Sequence, residues 1–474
     1  MEFKRTKIVA TIGPSSCDTK TLTSLIMAGV NVTRLNFSHG SHEEHARYIK
    51  TIRAVSKKLN EHVAILQDLS GPKIRIGDFE KGEINLVPGT RFTFTTKKCA
   101  GTEKRVFINY PYLYREVKKG DIIMLDDGRR KLEVTAVRGH DVETRIIVGG
   151  DIKGRRSVNI PGAFRRINSV TEKDRADLSF GLAQDVDFIA LSFVRSANDV
   201  RKFRALIDKQ SPKHAPAIIA KIETNEAVAD IDAIILEADG VMVARGDLAV
   251  EASPENVPLM QKQIIHKSVA AGKIVITATQ MLESMIQNPV PTRAEVGDVA
   301  NAILDGTDAV MLSQETAMGK YPVETVMMMA QIARKTENDS IYRDLFRGIH
   351  ASDETETVDA IGRVVVDVAH ATKAKAIVAL SESGFTARMI SRYRPTRPII
   401  VFTPRAETAR RLALSFACHP LIASSFENLL DVVAESKRTI IHQKIAVKND
   451  HIIIAAGIPF GKVGGTNMVM VQIL

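Results

Sequence analysis

The sequence places two carboxylates and a lysine at the ends of neighbouring apolar runs. In the tripeptide Lys-Ile-Glu, Lys221 and Glu223 are two residues apart, so on a strand both side chains point the same way. Asp247 follows the next apolar run, in the tripeptide Arg-Gly-Asp. Two carboxylates from adjacent strands suit a hard divalent cation that keeps several waters and also binds substrate phosphate. The alternative is a buried salt bridge between these acids and Lys221 or Arg245.

A related pattern surrounds Gly246. Arg245 and Asp247, on either side of it, would share one face of a strand. The same spacing of two recurs upstream in Arg34, Asn36 and Ser38. Gly246 leaves backbone room for a ligand, and the backbone around it can present N–H groups to an anion. The alternative is an ordinary glycine in the turn between a strand and a helix.

The segment 65–77, ILQDLSGPKIRIG, places positive charge after a tight turn. An apolar run ends at Asp68, a Ser-Gly-Pro turn follows, and Lys73 and Arg75 come next, two residues apart. This segment is either a surface turn with solvated charges or the rim of a site that handles anions.

Three histidines close together, His39, His42 and His45, raise the question of a metal cluster. However, Ser41 and Glu44 fit a capping box, a pairing that marks the start of a helix. The segment is therefore predicted to begin a helix with His42 and His45 exposed to solvent.

Eight short apolar runs, separated by helical patterns, are the elements that would position these groups. They are residues 6–13, 30–38, 62–69, 186–193, 217–223, 240–247, 273–280 and 308–315. Continuous apolar runs are typical of strands buried on both faces, as in a parallel sheet covered by helices. Eight strand–helix units predict an α/β fold with a (β/α)8 barrel of the TIM type, in which the carboxyl ends of the strands surround the active site.

Every one of the last seven runs ends in residues that can do chemistry. They are Arg34, Asn36 and Ser38; Asp68; Ser192; Lys221 and Glu223; Arg245 and Asp247; Thr277 and Thr279; Ser313 and Glu315. If such residues were only structural, they would be spread over both ends of the strands. The bias to one end predicts an active site there.

The chain is predicted to have three parts. Residues 1–70 and 168–345 would form the barrel. Residues 71–167 interrupt it with strand patterns at 84–96, 105–110, 120–128 and 131–137 and Gly-containing turns, which predicts an inserted all-β lid domain. A charged, weakly patterned segment follows the eighth run. Residues 346–474 would then form a C-terminal α/β regulatory domain with strands at 375–381, 398–404, 451–457 and 467–473.

Composition narrows the class of protein. The 474 residues are 45% hydrophobic and carry a net charge of +10, but there is no tryptophan and only 5% are aromatic. Base-stacking platforms are therefore scarce, so anionic small substrates explain the charge better than nucleic acid does. No run reaches the roughly 20 apolar residues of a membrane span, and no signal peptide is visible. Three distant cysteines indicate neither disulfides nor zinc, so a cytoplasmic location is expected.

Several long motifs together resemble the pyruvate kinase family. They are RLNFSHG (34–40), DLSGPKIR (68–75), the tripeptide at 221–223, MVARGDL (242–248), ITATQMLESM (276–285) and MLSQETAMGKYP (311–322). The match runs in order from Lys7 to the GGTN near the C-terminus. The resemblance implies transfer of the phosphoryl group of phosphoenolpyruvate to ADP, giving pyruvate and ATP. It also implies the arrangement of barrel, lid and regulatory domain.

The resemblance assigns roles to individual residues. Glu223 and Asp247 would hold Mg²⁺ or Mn²⁺, and Lys221 and Arg34 would contact the transferring phosphate. The substrate carboxylate would meet the backbone around Ala244, Arg245, Gly246 and Asp247 and the hydroxyl of Thr279. In the family Thr279 also lies near the route of the proton that reaches the enolate carbon. The nucleotide would lie between barrel and lid, against Asn36, Phe37, Ser38, His39, Arg75 and Arg156, the last standing where lysine is usual.

The most informative departure from the family pattern is Lys73. Many relatives carry glutamate there and need K⁺, which residues matching Asn36, Ser38, Asp68 and the Leu69 carbonyl hold. A second group carries lysine and is expected to work without K⁺. A tethered ammonium can supply the charge that K⁺ otherwise brings, so the enzyme is predicted to be largely independent of K⁺, and Asp68 to be the remnant of a cation site.

The C-terminal domain contains a candidate effector loop. Its residues are Ser381, Glu382, Ser383, Gly384, Phe385 and Thr386. They lie between a predicted strand and helix, and a helix N-terminus suits phosphate. The loop at 457–467 would close over it. The resemblance implies a phosphorylated sugar or AMP as effector and a homotetramer. The alternative is a plain helix cap followed by a Gly-rich turn.

Other functions remain open at this point. A Mg²⁺-dependent barrel lyase or aldolase acting on keto acids would explain the carboxylate pair, but neither the lid nor the residues of the nucleotide side. A basic binding protein that kept the barrel without catalysis would have lost Lys221, Glu223, Asp247 or Thr279, and all four are present. Contact with RNA is a third alternative, which charge alone leaves open.

Overall fold

The computed structural model describes residues 3–162, 168–346, 357–424, 426, 428–459 and 465–474. Its strands, in chain order, are β1 (Lys7–Thr11), β2 (Val32–Asn36), β3 (Ala64–Asp68), β4 (Glu83–Leu86), β5 (Arg91–Thr95), β6 (Arg105–Phe107), β7 (Ile122–Leu125), β8 (Arg130–Arg138), β9 (Asp141–Val148), β10 (Gly150–Lys153), β11 (Val158–Asn159), β12 (Phe188–Val194), β13 (Ala217–Ile222), β14 (Gly240–Ala244), β15 (Ile274–Ala278), β16 (Ala309–Leu312), β17 (Ala376–Leu380), β18 (Ile399–Thr403), β19 (Cys418–Ile422), β20 (His451–Gly457) and β21 (Thr466–Ile473).

The helices, in chain order, are α1 (Thr19–Ala28), α2 (His42–Leu59), α3 (Leu113–Glu116), α4 (Glu172–Ala183), α5 (Ala197–Lys209), α6 (Asn225–Ala229), α7 (Ile231–Glu237), α8 (Arg245–Ala252), α9 (Val257–Ala270), α10 (Arg293–Leu304), α11 (Gln314–Ala317), α12 (Pro322–Asn338), α13 (Ser340–Phe346), α14 (Thr357–Ala371), α15 (Phe385–Ser391), α16 (Ala406–Leu412) and α17 (Leu429–His442). Short 3₁₀ turns occupy Pro254–Asn256 and Glu283–Ile286. Among the described helices, none is both long and apolar enough to cross a membrane.

Eight strands close into a parallel barrel in the order β1-β16-β15-β14-β13-β12-β3-β2. All eight predicted runs supply one strand each, so the predicted (β/α)8 fold is confirmed. The runs are continuous because alternate residues face two different apolar layers. On β3, for example, Leu66 belongs to the cluster inside the barrel, whereas Ile65 packs in the layer between the strands and the helices.

The insertion between β3 and α4 is all-β, as predicted. Its strands form a six-stranded sheet, β11-β7-β8-β9-β5-β6, and a two-stranded sheet, β10-β4. It has a hydrophobic core of its own, in which Phe92, Phe94 and Leu132 are fully buried. The lid therefore has a core separate from that of the barrel. An isolated antiparallel bridge between Arg75 and Ser157 joins the two ends of the inserted segment.

The C-terminal part is an α/β unit with the sheet order β19-β18-β17-β20-β21, in which β21 alone runs antiparallel to its neighbour. Four of its five strands follow the predicted runs, but β19 was not predicted. Its sequence, CHPLI, contains Pro420, which cannot donate to a sheet. The strand is tolerated because it lies at the edge, where it pairs only with β18.

The C-terminal unit packs on the amino-terminal ends of the barrel strands. Asp308, just before β16, forms a buried ion pair with Arg394, whose Nη2 lies 3.1 Å from its Oδ2. Asp187, just before β12, accepts a hydrogen bond from Arg410 Nε at 2.5 Å. Lys7, at the start of β1, donates to the Cys418 carbonyl at 2.5 Å. The C-terminal unit and the carboxyl ends of the strands therefore lie at opposite ends of the barrel.

The segment after the eighth strand, which was predicted to be weakly patterned, is largely helical. Helix α12 continues to Asn338, and α13 follows it directly. The ring of Tyr342 in α13 is fully buried and stacks on Phe416 with ring centroids 6.3 Å apart. Because the exposed faces of these helices are rich in charged residues, the sequence did not indicate this apolar contact. The predicted boundary between residues 345 and 346 thus falls at the end of α13, and the next residues, 347–356, lie outside the described part.

Candidate active site

Asp68, at the end of β3, joins two of the predicted catalytic cations. Its Oδ2 accepts a hydrogen bond from Arg34 Nε at 2.7 Å, and its Oδ1 lies 3.3 Å from Lys221 Nζ. Arg34 also donates to the hydroxyl of Thr11 at 2.9 Å. Although burial would raise the pKa of Asp68, Lys221 and Arg34 hold it below its ordinary value. The carboxylate therefore stays charged and fixes both cations at the mouth of the barrel.

Lys221 lies at the centre of this group. Its Nζ donates to Ser192 Oγ at 2.8 Å and lies 2.9 Å from Glu223 Oε1. Burial would lower the pKa of Lys221, but Asp68, Glu223 and Asp247 together raise it above its ordinary value. A lysine held in this way is a permanent positive charge that can meet a second anion, such as a phosphoryl group.

Glu223 is held in place by a distorted strand. The pairing of β12 with β13 shifts register between Leu191 and Val194, and Phe193 adopts a positive φ of 53°. This turns the Phe193 N–H to donate to Glu223 Oε2 at 2.7 Å. The sequence did not indicate Phe193, because nothing in a run of apolar letters marks a bulge.

The carboxylates of Glu223 and Asp247 fit a divalent cation. Glu223 Oε1 is buried, and apart from its ion pair with Lys221 it accepts no hydrogen bond. Burial and the nearby Glu223 raise the pKa of Asp247 to about 7. Within the described residues, no three His, Cys, Asp or Glu side chains form a metal-binding group. The cation would therefore take its remaining ligands from substrate and water.

The strand parity expected of Arg245 and Asp247 was wrong. Strand β14 ends at Ala244, and α8 begins directly at Arg245, so these residues lie in the first turn of a helix. Asp247 faces the cleft, whereas Arg245 pairs with Asp298 of α10 at 2.7 Å. The Gly246 N–H, predicted to meet the substrate carboxylate, donates here to Thr279 Oγ1 at 2.8 Å.

The oxygens predicted to hold K⁺ all have partners within the protein. Asn36 Oδ1 accepts from the Ser38 N–H at 3.1 Å, and Ser38 Oγ accepts from Ser70 Oγ at 3.1 Å. The Leu69 carbonyl accepts from Ser192 Oγ at 2.7 Å. As described above, Asp68 is engaged by Arg34 and Lys221. The predicted cation-site residues thus lie together at the neighbouring ends of β2 and β3, and each has a partner within the protein.

The turn from β3 into the lid carries Lys73 and Arg75 to a cleft between barrel and lid. The cleft has a cavity of about 190 Å³ and is lined by Lys73, Arg75, Asp127, Ser157, Asn159, Phe193, Asp247 and Glu251, among others. Partial burial lowers the pKa of Lys73, and Arg75 and Lys221 lower it further. The pKa of His39 is lowered by burial and then by Lys73, Arg75 and Arg34, so His39 belongs to the same basic group. Asp127 and Glu251 were not indicated by the sequence, where they lie in ordinary polar segments.

Phe37, Arg75 and Arg156, which were also predicted to contact the nucleotide, each contact another part of the protein. Phe37 is buried, so only its backbone can reach a ligand, and its carbonyl accepts from Lys173 Nζ at 2.7 Å. Arg75 Nη1 donates to the Arg155 carbonyl at 2.7 Å, and Arg156 lies 3.5 Å from Asp126. Both arginines are thus held by the lid and its hinge.

The histidines near Phe37 are structural. The capping box of Ser41 and Glu44 at the start of α2 is confirmed. The expectation that His45 is exposed was wrong, because its ring stacks on Phe37 with centroids 4.0 Å apart and is almost fully buried. His42 Nε2 lies 2.7 Å from Asp177 Oδ1.

The candidate effector loop follows β17. Gly384 has a φ of +80°, and α15 begins directly after it. Glu382 pairs with Arg405 at 3.3 Å, and the hydroxyls of Thr386 and Thr466 are 2.6 Å apart. Ser383 is exposed. Residues 460–464 of the loop predicted to close over this site lie outside the described part.

A parallel barrel whose strand ends hold a lysine and a carboxylate pair beneath a lid defines an enzyme site for a phosphorylated anion. Comparison with known proteins makes the class specific. Residues 3–326 match the family model of the pyruvate kinase barrel domain, and residues 359–472 match that of the pyruvate kinase alpha/beta domain. The chain belongs to the pyruvate kinase family.

Individual relatives agree over nearly the whole chain. The chain is 46% identical to the pyruvate kinase of Geobacillus stearothermophilus, over 99% of this chain and 80% of that protein. It is 44% identical to the pyruvate kinase of Clostridium perfringens, over 99% of this chain and 100% of that protein. A crystal structure of a pyruvate kinase from Cryptosporidium parvum superposes with a TM-score of 0.95 at 36% identity, over 99% of this chain and 96% of that chain. The protein is a phosphotransferase, and the lyase or aldolase alternative is not supported.

Proposed function

We propose that the protein transfers the phosphoryl group of phosphoenolpyruvate to ADP in the cleft between barrel and lid. The observation that carries the assignment of the reacting centre is the position of Lys221, which Asp68, Glu223 and Ser192 hold at the carboxyl ends of the strands. A fixed positive charge here neutralises charge on the transferring group, as phosphoryl transfer requires. Arg34, which is bound to the same Asp68, would contact the same phosphate.

The remaining roles follow the same chemistry. Glu223 and Asp247 would hold Mg²⁺ or Mn²⁺, which would supply positive charge against the negative charge of the substrate. The backbone from Ala244 to Asp247 and the Thr279 hydroxyl receive the carboxylate, and Thr279 lies on the route of the proton to the enolate carbon. The nucleotide contacts residues 36–39, Arg75 and, from the lid, Arg156. Closure of the lid excludes water that would otherwise accept the phosphoryl group.

Pyruvate formation is expected to depend strictly on ADP. Pyruvate released from phosphoenolpyruvate is measured by coupling to lactate dehydrogenase, with and without ADP and with Mg²⁺ or Mn²⁺ present. Without ADP the rate should fall to background, because the phosphoryl group has no acceptor in a cleft closed to water. ADP-independent release of pyruvate at the full rate would contradict the proposed transfer.

We further propose that the enzyme does not require K⁺. All four oxygen groups that would bind K⁺ are already engaged by protein donors, as described above. The ammonium of Lys73 lines the same cleft and interacts with Asp68 and Asp247. A tethered cation therefore supplies the charge that K⁺ would bring.

The effector loop is proposed to bind a phosphorylated sugar or AMP. Its support is the helix that begins after Gly384, with Ser383 exposed beside it. Because the C-terminal unit packs on the opposite end of the barrel, such a ligand would act through that interface.

A ligand of this loop is expected to raise the melting temperature by several degrees at concentrations about 100 times its Kd. Sugar monophosphates, sugar bisphosphates and AMP are compared by thermal shift. Ser383→Asp should abolish the shift, because a second negative charge repels phosphate, whereas Ser179→Asp on α4, a distant exposed serine, should keep it. If no compound stabilises the protein, the loop is a plain helix cap.

Domain limits and assembly complete the proposal. The limits are 1–70 with 168–345 for the barrel, 71–167 for the lid and 346–474 for the regulatory domain, supported by the separate sheets and the separate lid core. A homotetramer is proposed from the family resemblance, and apolar side chains exposed on the barrel, among them Leu259 (71% exposed) and Met318 (67% exposed), are available for contacts between subunits.

A further inference from the structure

The guanidinium of Arg245 does not point into the cleft. It binds consecutive backbone carbonyls at the end of β15, where Nε lies 3.2 Å from the Ala278 oxygen and Nη2 lies 2.6 Å from the Thr279 oxygen and 3.4 Å from the Gln280 oxygen. A guanidinium, with its planar fork of donors, is suited to holding several acceptors in a fixed arrangement. Arg245 thus acts as a clamp on the backbone that carries Thr279.

The clamped backbone is strained. Thr279 has a φ of 70° and Gln280 a φ of 53°. The left-handed region is rarely used by β-branched residues and is costly for them, so surrounding contacts must hold these conformations. The strain has a consequence for the side chain, because it places Thr279 Oγ1 to accept from the Gly246 N–H at 2.8 Å and to donate to the Ala278 oxygen at 2.6 Å.

The clamp is itself held from outside the site. Arg245 Nη1 donates to Asp298 Oδ1 of α10 at 2.7 Å and lies 3.4 Å from Gln261 Oε1 of α9. Gln261 in turn donates to Asp305 at 2.9 Å. The Arg245 side chain is only 13% exposed and that of Asp298 is 37% exposed, so the guanidinium end of this charge-assisted hydrogen bond is largely shielded from solvent.

We infer that Arg245 and Asp298 are positioning residues that hold the hydroxyl of Thr279 in its reactive place. Arg245 contributes through the backbone of Thr279, not by binding substrate with its guanidinium. This inference rests on the proposed role of Thr279 in substrate binding and proton delivery. It gives a function to Asp298, which the sequence did not single out.

The test combines single and double variants. Asp298→Asn and Arg245→Met should each lower kcat by about 10- to 100-fold, with the KM for phosphoenolpyruvate and ADP changed less than threefold. The solvent deuterium isotope effect on kcat should rise, because a displaced hydroxyl slows proton delivery. Asp298→Glu, which keeps the charge, should restore much of the rate. Asp232→Asn, which breaks an ion pair with Lys267 on the barrel surface, is the control and should leave kcat and the isotope effect unchanged.

The decisive comparison is the double variant Arg245→Met with Thr279→Ala. If Arg245 acts through Thr279, the double variant is no slower than Thr279→Ala alone, because the clamp then has nothing to position. If Arg245→Met slows Thr279→Ala as much as it slows the native enzyme, the inference is wrong and the proposed role of Thr279 stands. If Thr279→Ala keeps full activity, the proposed role of Thr279 fails and the inference fails with it. Asp298→Asn repeats the comparison should Arg245→Met not fold.

Discussion

Replacing Lys221 with methionine is expected to lower kcat by about a thousandfold. One preorganised charge in a desolvated phosphoryl-transfer site is typically worth a factor of this order. Lys221 is mostly buried and interacts with Asp68, Glu223 and Asp247, so a mobile cation from solvent does not replace it easily. Its loss also removes an interaction that lowers the pKa of Asp247, so the dependence of activity on the divalent cation should move to higher pH. The measurement is steady-state kinetics with saturating substrates over a range of Mg²⁺ concentrations.

Two further variants separate charge from geometry. Lys221→Arg keeps the charge but cannot keep the compact contacts to Ser192 and Glu223, so it should recover only a small part of the rate. Lys267→Met removes a lysine that pairs with Asp232 on the barrel surface and should leave kcat unchanged. A kcat for Lys221→Met within tenfold of the native value would contradict the assigned role.

Lys73→Glu is expected to create a requirement for K⁺. Without K⁺ the variant should lose about 100-fold in kcat, because a carboxylate replaces a tethered cation that interacts with Asp68 and Asp247, a change worth roughly 3 kcal/mol. Saturating K⁺ should restore most of the rate, since a bound ion returns the missing charge. The rates are measured in a buffer of tetramethylammonium salts, free of sodium and potassium, with K⁺ then added back.

The native enzyme and a second lid variant complete this test. The native enzyme should change less than tenfold when K⁺ is added, and a larger stimulation would refute its independence from K⁺. Lys119→Glu makes the same charge reversal at an exposed position of the lid and should create no requirement. If Lys73→Glu keeps full activity without K⁺, the ammonium does not replace the ion.

Elements buried on both faces were the most predictable. Each barrel strand is a continuous apolar run, because its two faces meet two different apolar layers, and eight such runs predicted eight strands. The edge strand β19 was not predicted, because it pairs with a neighbour on one side only. Such a strand can contain a proline, here Pro420, which in the sequence argues against a strand. The burial of Tyr342 and His45 was also not predicted. Each ring is buried by a stacking contact with a phenylalanine, Phe416 and Phe37 respectively, and the residue type alone does not indicate such a contact.

The site shows a similar division. The identities of Lys221, Glu223, Asp68 and Thr279 and their places at strand ends could be predicted from the sequence. The direction of the Arg245 side chain could not be predicted. Strand β14 ends at Ala244 and α8 begins at Arg245, so the alternation of side chains along a strand no longer applies to Arg245 and Asp247.

The sequence alone thus determined the barrel, the lid insertion, the family and the chemical groups at the strand ends, because burial pattern and residue type are local properties. Only the tertiary structure decided which charge meets which. It made Asp68 the joint partner of Arg34 and Lys221, turned Phe193 to hold Glu223, and set Asp298 behind Arg245. Each of these pairings joins residues at least 30 positions apart, and their geometry depends on barrel closure, a bulge and a strained turn, which arise only when all eight strands are in register.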